Sequence, residues 1–125
     1  MINKQDFINA ITQNIDIVRG DTLAFSFQLA GLGSRGAYED LAVTFAVAEH
    51  YEDAVNLIES NIEDGITLES YNTIKDIATF TVVVEPNKTK YLDIKRYYYD
   101  LQIKDEVNVI TLMRGYFTLV YDVAN

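Results

Sequence analysis

Along the last quarter of the chain, hydrophobic and polar residues alternate with a period of two. Tyr97, Tyr99, Leu101 and Ile103 fall on one face and Tyr98, Asp100, Gln102 and Lys104 on the other, the pattern of a half-buried strand. The polar pair Asp105-Glu106 predicts a short turn back into Val107–Met113, so the two arms form an antiparallel hairpin. Gly115 interrupts an otherwise continuous β-prone run, which predicts a bulge, a sharp bend or a change of sheet there.

The same alternation recurs upstream. Asn14–Val18 reads as a strand, closed by Arg19-Gly20-Asp21, where Gly20 supplies the positive φ of a tight turn. Thr22–Ala30 alternates strictly and places Leu23, Phe25, Phe27 and Leu29 on the core face. Gly31-Leu32-Gly33-Ser34-Arg35-Gly36 is glycine-rich and reads as a mobile connection that a bound partner would order, or simply as a surface loop. Asp40–Glu49 is a third core strand, with Leu41, Val43, Phe45 and Val47 inward and Ala42, Thr44, Ala46 and Ala48 outward. So small an outer row permits close packing by another subunit, or plain solvent exposure.

Beyond the polar connection His50–Val55, weaker strands are expected at Asn56–Ile62 and around Gly65–Leu68, separated by the turn signal Glu63-Asp64; both read as sheet edges. Asp76–Val84 is β-branched, with Ala78, Phe80, Val82 and Val84 facing one way, and reads as a central strand. Pro86, the only proline, stops it and heads a helical turn that crosses from one sheet to the other. At the start of the chain, Phe7, Ile8 and Ile11 fit a short amphipathic helix or equally an arm laid across the sheet.

Strands at intervals of roughly 8–15 residues, with no long helical period, predict an all-β fold. The expected form is an immunoglobulin-like antiparallel β-sandwich of 7–8 strands with a short helical turn near residues 86–92. Residues 1–13 would be an N-terminal arm and residues 14–125 the sandwich domain. Nine tyrosines and six phenylalanines supply the buried surface, and Tyr97 or Tyr99 is placed to form the corner hydrogen bond of such sandwiches.

Composition narrows the function. The 125 residues suffice for one core, and the absence of cysteine removes any disulfide framework or thiolate metal site. The amino-terminal residues lack a signal-peptide pattern and no window approaches a membrane span, so a soluble protein made in the cytoplasm, without membrane partners, is expected. A formal charge of −9 disfavours nucleic acid as a partner. Between Gly36 and Ile74 no Lys or Arg occurs, whereas Lys75, Lys88, Lys90, Lys95 and Arg96 follow. That unevenness fits either a dipolar molecule docking on a basic neighbour or a solvated acidic face.

Candidate chemistry is sparse. Arg19-Gly20-Asp21 matches the integrin-ligand tripeptide but links two strands tightly and reads as a turn. His50 is the only histidine, which leaves no His/Cys metal cluster and no convincing base for Ser26, Ser34, Ser60 or Ser70. Glu63-Asp64-Gly65 and Asp105-Glu106 lack calcium-loop spacing. No catalytic residue, cofactor or metal is therefore expected. Tyr98 points opposite to Tyr97 and Tyr99, as an interface anchor or sugar-stacking platform, or else packed across strands on an outer face.

One resemblance extends over roughly Asp16 to Val123. Arg19-Gly20-Asp21-Thr22, Phe25-Ser26-Phe27, Glu39-Asp40-Leu41, Val43-Thr44-Phe45, Tyr97–Ile103, Val109–Gly115, Phe117-Thr118-Leu119 and Tyr121-Asp122-Val123 together resemble a module of tailed bacteriophages. The pattern is similar to the amino-terminal domain of phage baseplate upper proteins and to short stand-alone virion proteins. Asp105-Glu106 departs from it, since that family commonly has a glycine in the last hairpin turn. The resemblance implies a non-enzymatic structural or adaptor protein of a phage particle, located in the virion, that binds other virion proteins, with self-association into a homo-oligomer as a further expectation. Contact candidates are the edges around Asn56–Leu68, the arm residues Phe7, Ile8 and Ile11, and the tyrosines Tyr51, Tyr71 and Tyr98. A carbohydrate- or host-surface-binding module using those three tyrosines is the competing expectation.

Overall fold

The structure, a computed structural model, describes residues 11–53 and 55–121. Phe7 and Ile8 lie outside the described residues. The chain is mostly β and forms two sheets in a sandwich-like arrangement. The larger sheet contains β1 (Ile11–Thr12), β2 (Ile15–Val18), β4 (Ala42–Ala48), β5 (Ile58–Asn61), β8 (Arg96–Lys104) and β9 (Val109–Val120). Its order is β1-β9-β8-β4-β5, with β2 following β1 along the same edge of β9; β1 and β2 run parallel to β9 and the other pairs are antiparallel. The smaller sheet is β3 (Leu23–Ala30), β7 (Ile77–Val84) and β6 (Ile66–Asn72), in the order β3-β7-β6.

The alternation that predicts the strands also decides which faces are buried. Tyr97, Tyr99, Leu101 and Ile103 of β8 meet Val43, Phe45 and Val47 of β4 and Ala78, Phe80, Val82 and Val84 of β7, all buried in one core. Apolar burial at about 25 cal/mol per Å² is what holds the two layers together. Edge-to-face and tilted aromatic pairs cross the core: Phe45 lies 5.6 Å from Phe25, 5.5 Å from Tyr99 and 6.2 Å from Phe117, centroid to centroid.

Most connections follow from local chemistry. The Arg19-Gly20-Asp21 turn passes between the sheets with Gly20 at φ 88°, and the Gly20 N–H donates to Thr89 Oγ1 at 2.9 Å. Pro86–Lys88 forms a single 3-10 turn where the chain crosses from β7 to β8, as expected. Tyr97 is the second residue of β8, and its hydroxyl donates to the Asp93 carbonyl, four residues upstream, at 2.8 Å. Four residues separate β8 from β9, and the Asp105 carboxylate accepts from the N–H groups of Val107 (2.8 Å) and Asn108 (2.7 Å). That side-chain closure of the turn explains how the hairpin forms without the glycine of the phage pattern.

Three expectations need correction. Gly115 is neither a bulge nor a change of sheet, for β9 runs through it; the register slips instead at Leu112, between Leu101↔Met113 and Gln102↔Thr111. Gly115 is required because the Gln13 backbone crosses it so closely that an added Cβ would lie 2.2 Å from the Gln13 carbonyl oxygen. The glycine-rich segment is a surface loop only as far as Ser34, and its last two residues are helical. Ser34 caps a five-residue helix, α1 (Arg35–Glu39), through a bond from the Ala37 N–H at 3.2 Å. Finally, the second strand arm begins at Val109, not Val107.

Candidate functional site

The larger sheet turns one row of side chains inward and the other outward, and the outward row carries the chemistry. Directly paired across β8 and β9 are Tyr98 with Tyr116 and Asp100 with Arg114. The turn after β4 carries His50 and Tyr51 over the same face. Tyr98 thereby packs against Tyr51 at 4.6 Å, Tyr116 at 5.4 Å and His50 at 6.1 Å between ring centroids. Two guanidinium groups stack on this cluster: Arg114 over Tyr51 at 4.2 Å and Arg96 over Tyr116 at 4.3 Å. Each such contact contributes about 0.5–1 kcal/mol at an exposed site.

The Tyr51 hydroxyl is anchored, donating to the Gly115 carbonyl at 3.0 Å. Beside the rings lies a small cavity of about 40 Å³, lined by Ala46, Ala48, Asp53, Asn56, Tyr98 and Asp100 among others. Burial pushes the Asp100 carboxyl above the usual carboxylate range, and the charge of Arg114 opposes that shift. Burial likewise pushes the Tyr99 phenol up to about 12, and its proton is given to the Gln13 carbonyl. Beside this cluster, β4 contributes the small outward row Ala42, Thr44 and Ala46, while Ala48, paired with Tyr98, is buried.

The expected site residues are only partly brought together. Tyr51 and Tyr98 touch, and Tyr98 takes the cross-strand packing weighed for it above. Tyr71 sits on β6 in the smaller sheet, its ring 5.4 Å from that of the buried Tyr38. Ile11 pairs with Met113 in β1. Arg96, Arg114 and Tyr116 escaped the sequence reading, since only strand register reveals that they share the outer face. Two of the later lysines fold back on the acidic stretch: Lys95 pairs with Glu49 and Lys88 with Asp64. Among the described residues no group of three or more His, Cys, Asp or Glu could hold a metal, and no helix is long and apolar enough to cross a membrane.

Tyr71 belongs to a second polar node. Asp76, at φ 52°, accepts from the hydroxyls of Tyr38 and Tyr71 at 3.0 Å each and from the Gly33 N–H at 2.9 Å, while its carbonyl takes the Gly31 N–H at 3.3 Å. Burial would raise the Asp76 carboxyl; the bonds from Gly33, Tyr71 and Tyr38 outweigh it and lower the pKa. A carboxyl lowered on folding adds stability above its unfolded pKa, near pH 4, and loses it as pH falls through the folded value. Asp76→Asn keeps the left-handed backbone accessible but loses the charge. Its melting temperature is expected to lie below wild type at pH 7, with the gap closing over the acid range below about pH 4 as the folded carboxyl takes up its proton. A gap constant across that range in thermal melts would refute the assignment.

The chain matches no protein-family model and no curated protein.

Proposed function

We propose that this chain is a non-enzymatic structural or adaptor protein of a phage particle, in the baseplate, tail, neck or head-associated region, and that it contacts other virion proteins through the outer face of the larger sheet. The observation that carries the contact surface is the row Arg96, Tyr116, Tyr98, Tyr51, Arg114, because tyrosine and arginine are the residues that dominate binding energy at protein interfaces. The side chains are already packed on one another, so little rotamer entropy remains to be lost on docking. The small β4 row beside them lets a partner approach the sheet closely. Placement in a phage particle is supported by the sequence pattern alone.

An immunoglobulin-like topology is part of this reading. It is supported by the strand order β2-β9-β8-β4-β5 over β3-β7-β6 and by the Tyr97 corner bond. The sugar-binding alternative is less well supported. Tyr98 is ringed by His50, Tyr51 and Tyr116, arginines cover faces of Tyr51 and Tyr116, and Tyr71 lies on the other sheet. Each of the three candidate tyrosines therefore has a neighbouring ring or guanidinium packed against it, which leaves less open face for a pyranose to stack on.

The test is quantitative mass spectrometry of purified particles assembled with wild-type or doubly substituted chain, Tyr98→Ala with Arg114→Glu. Loss of two interface anchors at about 2 kcal/mol or more each predicts at least a tenfold drop in incorporation. Unchanged incorporation removes the face from the account; absence of the wild-type chain from particles removes the virion assignment.

A further inference from the structure

The two sheets leave four strand edges, and among the described residues three are blunted in the ways that prevent accidental pairing. Strand β5 has only four residues. Strand β6 slips register between Leu68 and Ser70, with the charged Glu69 at the slip. The β1–β2 edge is interrupted at Gln13 and Asn14, where Asn14 turns its side chain to the Tyr116 N–H. The fourth edge, β3, has none of these features. It pairs with β7 in unbroken register from Leu23↔Val84 to Ala30↔Ile77 and contains neither a charged residue nor proline. Among the described residues no strand pairs with its other side.

Its inward residues are also incompletely covered. Leu23, Phe25 and Phe27 pack against the core but remain half-buried, whereas the corresponding row of the central strand β7 is fully buried. The sequence of β3 reads nearly the same in both directions from Ser26: Phe25 and Phe27 flank it, and Leu23 and Leu29 stand three residues away on either side. We propose that β3 pairs antiparallel with β3 of a second copy, about a two-fold axis at Ser26, joining two three-stranded sheets into one of six.

The register follows from the pleat, since residues opposite one another must face the same side. With the axis at Ser26, Phe25 meets Phe27 and Leu23 meets Leu29 on the core side, while Ala24 meets Gln28 and Ser26 meets Ser26 outside. An axis between Ser26 and Phe27 would oppose Phe25 to Gln28, mixing the faces. An axis at Phe27 would oppose Leu23 to Gly31, which lies beyond the strand at φ 92°. Seven paired residues extend about 24 Å, and an edge roughly 20 Å deep gives a contact of roughly 1,000 Å² over both copies, at the low end for a specific interface. For a chain of charge −9, an uncharged strip is where two copies repel least. This inference is independent of the arginine–tyrosine face.

The chain has no cysteine, so a single introduced thiol reports on the register. Ser26→Cys places two sulfurs across the axis with Cα atoms about 4.5–5.5 Å apart, inside disulfide range. Gln28→Cys leaves its two copies about 13 Å apart, outside it. Mild oxidation of the full chain is expected to give at least tenfold more covalent dimer from Ser26→Cys than from Gln28→Cys at equal concentration. Light scattering is expected to find dimers of wild type at tens of micromolar and monomers of Ser26→Lys, whose ammonium groups would meet on the axis. Equal cross-linking of the two cysteine variants overturns the register. A wild-type chain that stays monomeric at 100 µM overturns the pairing.

Discussion

Gly115→Ala is expected to destabilise the protein by about 3 kcal/mol or more, or to prevent folding, although it adds one methyl group to a strand that alanine otherwise tolerates. The new Cβ would lie 2.2 Å from the carbonyl oxygen and 2.8 Å from the carbonyl carbon of Gln13, both backbone atoms, and 3.0 Å from Asn14 Oδ1. No side-chain rotation relieves that clash. Moving the Gln13 backbone would break the bond it receives from the hydroxyl of Tyr99, a residue buried in the core. It would also disturb the bond from the Gln13 N–H to the Arg114 carbonyl at 2.9 Å and that from the Tyr116 N–H to Asn14 at 3.0 Å, which together hold β1 and β2 on β9. Gly36→Ala is the control. Gly36 lies in α1 and an added Cβ meets nothing nearer than Ser34 Oγ at 4.0 Å, so that change should be neutral or stabilise by less than about 1 kcal/mol. Urea denaturation of the two variants decides the matter: a loss below about 1 kcal/mol for Gly115→Ala would mean that Gln13 does not cross there.

The strands were legible because the period of two is a local signal, and it survives in β3, β4, β7 and β8 with the expected residues inward. The helix α1 was not, because three glycines outweigh a single Ser34 cap when propensity is read along the chain. Tyr38, fully buried on that helix, was missed for the same reason, and its anchor Asp76 lies thirty-eight residues away. Gly115 could be recognised as special, but a strand interior glycine has several causes, and only the position of Gln13 selects close approach over bulge. The outer-face cluster shows the limit most clearly. Alternation sends Tyr98 outward, yet the neighbours that give it a role, Tyr51, Tyr116 and two arginines, are fixed by register and by a turn. Equally, an edge strand and a central strand write the same alternation, so β3 reads as core although among the described residues it has a strand on one side only.

That difference between an edge and a centre should be measurable in the core itself. Phe45 is fully buried on β4 and meets Phe25 from the opposite sheet as well as Tyr99 and Phe117 from its own. Phe45→Ala removes a ring from between the two layers, and the ring neighbours cannot readily collapse into the space. The expected cost is about 3–5 kcal/mol, a large fraction of the 5–15 kcal/mol that typically holds a domain together, and a fall in melting temperature of roughly 10–20 °C. Phe25, its partner across the sandwich, is half-buried at the open β3 edge, so Phe25→Ala in dilute protein should cost no more than about half as much. A second copy covering that edge would change the ratio, because only the folded chain pairs and association therefore adds to its stability by mass action. The penalty of Phe25→Ala should then grow with protein concentration from about 1 to 100 µM while that of Phe45→Ala, buried within one copy, rises much less. Melts of both variants at several concentrations measure the two effects together; equal penalties in dilute protein would mean that the β3 row is as enclosed as the centre of the core.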